Sequence, residues 1–327
     1  MNNPVIHSLA KNQALMTVAF VLLVLLMWKI APILITLFIS FTIMSALYPF
    51  VDFLRKAGFP QGLSATIVYL LVLCLIALLV FSLVPFFTAQ IQLLFKTFPF
   101  YLNKTAQMLG FEIDNRQVQS LLTSELGQIG ENALQLTKSL FSGFFTTLTV
   151  IVISFYMLLE RSKLHKAFIT IFPKSQQPKA MKLIQDIELK LGAWVRGQTL
   201  LSFAVGTVTW ITLTLLGIDF ALPLALFAGI LEIVPTIGPI LSAVPALIVA
   251  FAISPTLMFV VVAAYIAIQM LENNILVPKI MEKAVGLNPI VVITSVAIGA
   301  SMLGVLGALL AIPFLSVLII VVKALHK

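Results

Sequence analysis

The chain has 327 residues, of which 61% are hydrophobic and only 10% charged, and its mean hydropathy is +1.12. A soluble globular chain is about half apolar and about one quarter charged. Charges this sparse cannot cover a water-facing surface, so the composition reads as an all-α polytopic membrane protein whose partner is the lipid bilayer. The net charge of +8 does not point to nucleic acid. The basic residues stand between apolar runs without interleaved stacking aromatics, where they record topology and contact with anionic lipid. Cys74 has no second cysteine to pair with, and His7, His165 and His326 are too scattered for a metal site or a catalytic dyad. Neither a cofactor, a metal nor an enzymatic activity is expected.

A helical span needs about 20 apolar residues. The runs from about 14 to 28 and 32 to 50 are expected to be two spans folded into a hairpin, and 63 to 84 a third. No small-x-small cleavage site precedes Lys29, so the first run reads as a retained helix rather than a signal sequence. Beyond Pro85 the pattern changes. Val118, Leu121, Leu122, Ile129, Leu136 and Leu140 fall near helical spacing with polar residues opposite, as in an amphipathic helix that lies on a bilayer or packs on a partner helix.

A fourth span, about 141 to 159, ends at "ERSKLHK", after which Lys163, Lys166, Lys174, Lys179, Lys182 and Lys190 accumulate. The stretch "AMKLIQDIELKLGAWVRGQ" is amphipathic through Ile184, Ile187, Leu191 and Trp194. It is expected to slide along the membrane surface into a fifth span, about 198 to 216. These readings divide the chain into three N-terminal spans (1–85), an extracytoplasmic amphipathic segment (86–138), a fourth span with a basic cytoplasmic helix (139–195) and a C-terminal core (196–327). The positive-inside rule, applied to Arg55, Lys56, the lysines after Glu160, Lys323 and Lys327, places both termini in the cytoplasm of a cell whose inner (plasma) membrane holds the protein.

The C-terminal core is dense in glycine and proline. "ILEIVPTIGPILSAVPA" (230–246) sets a carboxylate, three prolines and a glycine inside an apolar run. Proline removes a helical hydrogen bond, and broken backbone at membrane depth is tolerated where it is buried in protein or lines a wet cavity. Two Gly/Pro-interrupted apolar segments are the best sequence pointer to a transporter site. Here they are the region of Pro235, Gly238 and Pro239 and the region of Gly299, Gly304, Gly307 and Pro313, with Gly304, Gly307 and Pro313 as hinge candidates. Glu232 just before the first break either faces the interior as a proton carrier or sits in the interface. "QMLENNILVPKI" adds Gln269, Glu272, Asn273 and Asn274, which either face a polar solute or mark an exit from the bilayer. Arg196 in "WVRGQ" either pairs with one of these acids or snorkels to lipid phosphates.

"WVRGQ", "LLGIDFALPLALFAGILEIVPTIGPILSAVPA", "LENNILVPKIMEKAVGLNPIVV" and "GVLGALLAIP" together resemble, in order and approximate spacing, the autoinducer-2 exporter family of bacterial and archaeal membrane proteins. The resemblance covers essentially the whole chain. It implies about eight membrane segments, some broken or re-entrant, a homo-oligomer (a pentamer in the family's pattern), and transport: export of autoinducer-2, a small polar furanone-type molecule, in some members and sodium/proton or lithium/proton antiport in others. The family's Pro-x-x-Gly-Pro break falls on Pro235 to Pro239, with Thr236 where members often carry an aromatic, and the family's Leu-His-Pro is "LNP", with Asn288 replacing the histidine. A proton role for that position is therefore not carried over.

Three functions remain open at this point. A secondary transporter of a small polar solute leads, since no Gly-x-x-x-x-Gly-Lys-Ser/Thr loop is present to bind ATP. A sodium(lithium)/proton antiporter would use Glu232, Glu272 or Asp219. A membrane scaffold without transport would gain nothing from intramembrane acids and broken helices.

Overall fold

The computed structural model describes residues 13–78, 143, 146–218, 220–234, 237–281 and 289–325. The amphipathic stretch 116–140, Asp219, Pro235, Thr236, Asn288, His7 and His326 lie outside these residues. All described elements are helical, as the apolar runs require, and five helices are long and apolar enough to cross a membrane.

The first helix, α1, runs without interruption from Gln13 to Lys56. The expected hairpin between the first two apolar runs therefore does not form. The joint "WKIAP" holds no glycine, asparagine or aspartate to turn the chain, and Pro32 is accommodated inside the helix. At about 1.5 Å per residue the 44 residues reach roughly 66 Å, about twice a hydrocarbon core. After a tight turn α2 (Gln61–Leu78) comes back beside it, and α3 (Thr146–Leu159) completes a small bundle. Its core is Met44, Val51, Ala65, Val68, Tyr69, Ile151 and Leu158. Buried hydroxyls stitch it: Ser40 donates to the Val150 carbonyl (3.1 Å), and Tyr69 Oη and Ser154 Oγ stand 2.6 Å apart.

A short helix α4 (Arg161–Thr170) leads to α5 (Gln177–Leu215). The amphipathic basic stretch and the fifth span are thus one helix of 39 residues. Its first half does not lie free on a surface: Leu191 and Trp194 are in the core, and buried Glu188 is held by Arg161 and His165.

Two hairpins follow. α6 (Ala221–Leu231) and α7 (Ile237–Ile253) have 11 and 17 residues, roughly 17 and 26 Å, both short of the ~30 Å core. A Cβ on Gly238 would strike the Leu231 carbonyl, so the chain reverses between them. α8 (Pro255–Leu271) is capped by Ser254, whose hydroxyl accepts from Leu257 N–H at 3.1 Å. It continues into a π-helical turn, Glu272–Leu276, and a last helical turn, α9 (Val277–Met281). Finally α10 (Pro289–Leu325) folds back on itself at Gly304, whose φ of 62° is open to glycine and strained for other residues. Gly299 and Gly307 then meet backbone to backbone, although a straight helix would hold them about 12 Å apart. The break lies at Gly304, while Pro313, expected as a hinge, is buried within the returning helical arm.

Side chains at Gly299 or Gly307 would force the two arms apart. Gly307→Val is expected to cost about 1–3 kcal/mol of overpacking, seen as a lower thermal midpoint in detergent. Gly62→Val, at a glycine with no neighbour within 4 Å, should leave the midpoint unchanged.

Candidate functional site

The tip of the first hairpin and the π-turn after α8 bring together the two acids that sequence reasoning singled out. Glu232 is 0% exposed and Glu272 4% exposed, and the two carboxyl groups are close enough to interact electrostatically. Ionised carboxylates only accept, so two neighbouring carboxyls could bond each other only if one of them carried a proton. Neither Glu232 oxygen, nor Glu272 Oε2, has a hydrogen-bond partner among the described residues. An orphaned buried polar atom costs about 1–3 kcal/mol, so this arrangement is kept at the expense of stability.

The π-turn explains why Glu272 points inward. Pro278 has no N–H to continue the ordinary ladder, and Val277 N–H reaches back to the Glu272 carbonyl, five residues away. Such a bulge shifts the register of facing side chains, and π-bulges concentrate at functional sites. It also divides the predicted polar patch. Glu272 is buried, whereas Asn273 and Asn274 are exposed, engaged with Gln269 (3.4 Å) and with the Met270 carbonyl (2.8 Å).

Glu272 opens onto a cavity of about 380 Å³ between α5, α6, α7 and α8, whose polar lining includes Thr209, Ser242, Tyr265 and Gln269, with Pro239 beside them. Gly238 allows the tight hairpin tip that places Pro239 there. The last hairpin does not reach this cavity. Gly299, Gly307 and their neighbours line a separate groove of about 540 Å³ against Leu34, Ile35 and Phe38 of α1. Its only polar side chain, Ser295, donates to the Val291 carbonyl. Both the cavity and the groove are lined mainly by apolar side chains, and Glu272 borders the smaller.

Three residues at the site escaped the sequence reading. Gln198 Nε2 donates to the Glu232 carbonyl at 2.5 Å, tying the hairpin tip to α5. Thr209 and Tyr265 carry buried hydroxyls without partners among the described residues. Their signal in the sequence was a polar side chain within an apolar run, Gln198 and Thr209 along α5 and Tyr265 on α8.

Arg196 meets neither acid. Its Nη1 donates to the carbonyls of Ser45 (3.3 Å) and Ala46 (3.1 Å) on α1. Pro49 supplies the reason: it lacks the N–H that would serve the Ser45 carbonyl four residues earlier. Gly192 lets the helices close to this distance, since a Cβ there would strike Ser45 O. Arg196 thus mends a proline-broken ladder and pairs with neither acid.

Residues 15–327 match the family described as AI-2E family transporter. The chain belongs to the AI-2E transporter family. It is 30% identical over 306 residues to YueF of Bacillus subtilis (strain 168), covering 86% of this chain and 82% of YueF. YrrI of the same organism is 27% identical over 304 residues, 88% of this chain and 84% of YrrI. Both are named as transport proteins with no solute stated. AI-2 transport protein TqsA of Escherichia coli (strain K12) is 30% identical over 216 residues, 64% of this chain and 57% of TqsA. The protein is a multi-pass membrane protein of a transport family.

The clamp on α1 predicts a measurable coupling. Arg196→Met should lower stability by about 1–2 kcal/mol, and by less in a Pro49→Ala background, where an N–H again serves Ser45 O. A double-mutant cycle on thermal midpoints checks this; equal losses in the two backgrounds would mean that the arginine does not compensate the proline.

Proposed function

We propose that this chain is a secondary transporter that carries a small polar solute, of the class of autoinducer-2, through the cavity beside Glu232 and Glu272. One observation carries the reading: a pair of buried carboxyls with unfilled oxygens stands at the tip of a re-entrant hairpin, and Glu272, with Thr209, Tyr265 and Gln269, reaches into a cavity within the membrane-spanning helices. Acids at such depth are expensive and mark substrate or ion pathways, and broken helices supply such sites in transporters. Likeness to TqsA supports the choice of solute class. Gln198 holds the tip, Gly238 and Pro239 shape it, and Asn273 and Asn274 flank the outer side of the π-turn. No catalytic step is assigned, because no nucleophile–base pair is part of the reading.

A second reading, sodium(lithium)/proton antiport, draws on the same pair. A shared proton between two carboxyls is what a cation would displace.

The orientation follows from where the basic residues gather. Arg161 packs over the Tyr48 ring (4.0 Å), Gln61 donates to the Leu158 and Leu159 carbonyls, and Lys190 lies near Lys323. The ends of α1, α3 and α10 and the starts of α2 and α5 therefore share one face with Arg55, Lys56, Lys163 and Lys166. By the positive-inside rule this face, with the C-terminus, is cytoplasmic in the inner membrane. An unbroken α1 then carries residue 13 to the far side, unlike the paired cytoplasmic termini expected with a hairpin. The exposed apolar stretch Met16–Met27 is suited to contact lipid or another copy of the chain in a homo-oligomer.

Proteoliposomes with an internal pH dye, challenged outside with sodium, lithium or labelled autoinducer-2, test the two readings. Solute uptake without ion-driven dequenching supports the exporter, and dequenching by sodium supports the antiporter. In either case Glu232→Gln or Glu272→Gln should slow the flux at least about ten-fold, as for a group that binds or carries charge in the path. Flux in both variants equal to that of the parent would remove the acids from the mechanism.

A further inference from the structure

Serine and threonine hydroxyls in these membrane helices mostly turn back on their own helix. Thr36, Ser40, Thr42, Ser45, Thr199, Thr207 and Thr294 each donate to the carbonyl four residues earlier, at 2.7–2.9 Å. Such back-bonding is the local way to satisfy a hydroxyl where no water reaches. Ser202 and Thr209 on α5 do otherwise: their hydroxyls are buried and have no partner among the described residues. Neither makes the bond to the carbonyl four residues earlier that Thr199 and Thr207 make.

Gln198, Ser202 and Thr209 are spaced by four and seven residues, hence on one face of α5. That face meets the acids. Gln198 keeps Oε1 free while its amide holds the Glu232 backbone, and Thr209 shares the 380 Å³ cavity with Tyr265 and Glu272. Among the described residues, the unfilled atoms on this face and around the acids include Gln198 Oε1, Ser202 Oγ, Thr209 Oγ1, both Glu232 carboxyl oxygens, Tyr265 Oη and Glu272 Oε2; Trp194 Nε1 and Ser316 Oγ are unfilled as well. The hydroxyls of Ser202, Thr209 and Tyr265 can both give and accept. Buried waters satisfy such groups, each with about three hydrogen bonds, and at ~30 Å³ apiece roughly a dozen fit the cavity.

We propose that Ser202, Thr209 and Tyr265 anchor a file of internal waters that joins the cavity to the Glu232–Glu272 pair and is the route by which the pair exchanges protons. It uses the site of the transport reading but rests on hydration, which can be measured without transport. A proton arriving as hydronium passes to a carboxyl oxygen and leaves to water again, with no other reactant. Nothing else among the described residues stands ready to give or take a proton there, because Tyr69 is engaged with Ser154 and Arg196 with α1.

The single cysteine makes the test direct. In a Cys74→Ser background, Ser202→Cys, Thr209→Cys and the lipid-facing control Phe203→Cys, at a position 73% exposed in the protein, are reconstituted and treated with a charged methanethiosulfonate reagent. Thiolate forms only where water reaches, so Thr209→Cys and Ser202→Cys should react at least ~ten-fold faster than Phe203→Cys. Rates no higher than the control, in protein that elutes as the parent does, would overturn the proposal. Thr209→Val and Tyr265→Phe, which keep shape and remove the hydroxyls, should slow proton equilibration with the pH dye by about ten-fold; unchanged rates would likewise overturn it. Labelling without any solute or ion flux would instead leave the water file standing and remove the transport reading. Flux with unreactive cysteines would do the reverse.

Discussion

Inside hydrocarbon, a backbone N–H or C=O has no water to turn to, so every break in a helix must be mended by the protein itself. The chain gives up helical hydrogen bonds at Pro49, at the tip after Leu231, at Pro278 and at Gly304, and much of its architecture consists of the repairs. Two of them are made by one helix. α5 sends Arg196 to the carbonyl orphaned by Pro49 and Gln198 to the carbonyl of Glu232. Residues 196 and 198 point to different sides of the helix, so α5 is the axis on which the N-terminal bundle and the first hairpin are both hung.

The same constraint separates what the sequence made legible from what it hid. Proline, glycine and a lone acid in an apolar run are rare enough that Glu232, Gly238 and Glu272 stand out, and the meeting of the two acids, 40 residues apart, is the part of the site that could be anticipated. The hairpin expected near Lys29 was an error of counting. Two apolar runs of spanning length were taken for two spans, although the joint carries no residue that reverses a chain. Arg196 was misread because its partner is a carbonyl orphaned on another helix, and no property of "WVRGQ" announces it. Gln198, Thr209 and Tyr265 went unnoticed because single polar residues in a span usually bond locally. Only the coordinates tell which hydroxyls have declined that bond.

The two hairpins differ in chemistry even though both close through glycine. At the first, the tip carries a carboxylate, and the neighbouring π-turn adds a second from a helix that would otherwise have pointed it elsewhere. At the second, Gly299 and Gly307 press together without any ionisable group, and the groove beside them is lined by aliphatic and aromatic side chains. Lipid-like surroundings suit the second and penalise the first. Among the described residues most of the unsatisfied buried polar atoms lie on α5, the first hairpin and α8 with the π-turn after it, with Ser316 on α10 as a separate case.

How such a site could open is bounded by the ties around it. The seam between the N-terminal bundle and α5 is fastened at the basic end by directional contacts. Arg161 binds Glu188 at 2.6 Å, His165 Nε2 donates to the other oxygen of Glu188 at 2.8 Å, and the guanidinium of Arg161 lies over Tyr48. Parting this seam would leave buried charges uncompensated, at about 3–5 kcal/mol for each broken pair. Among the described residues α6, α7 and α8 carry no ion pair to α5. They meet it through Leu213, Leu224, Ala246 and Val261, and through the single amide of Gln198. Apolar surfaces slide at little cost and directional bonds do not. Movement that exposes Glu232 and Glu272 is therefore cheapest when the hairpin and α8 shift against α5, with the charged seam left whole.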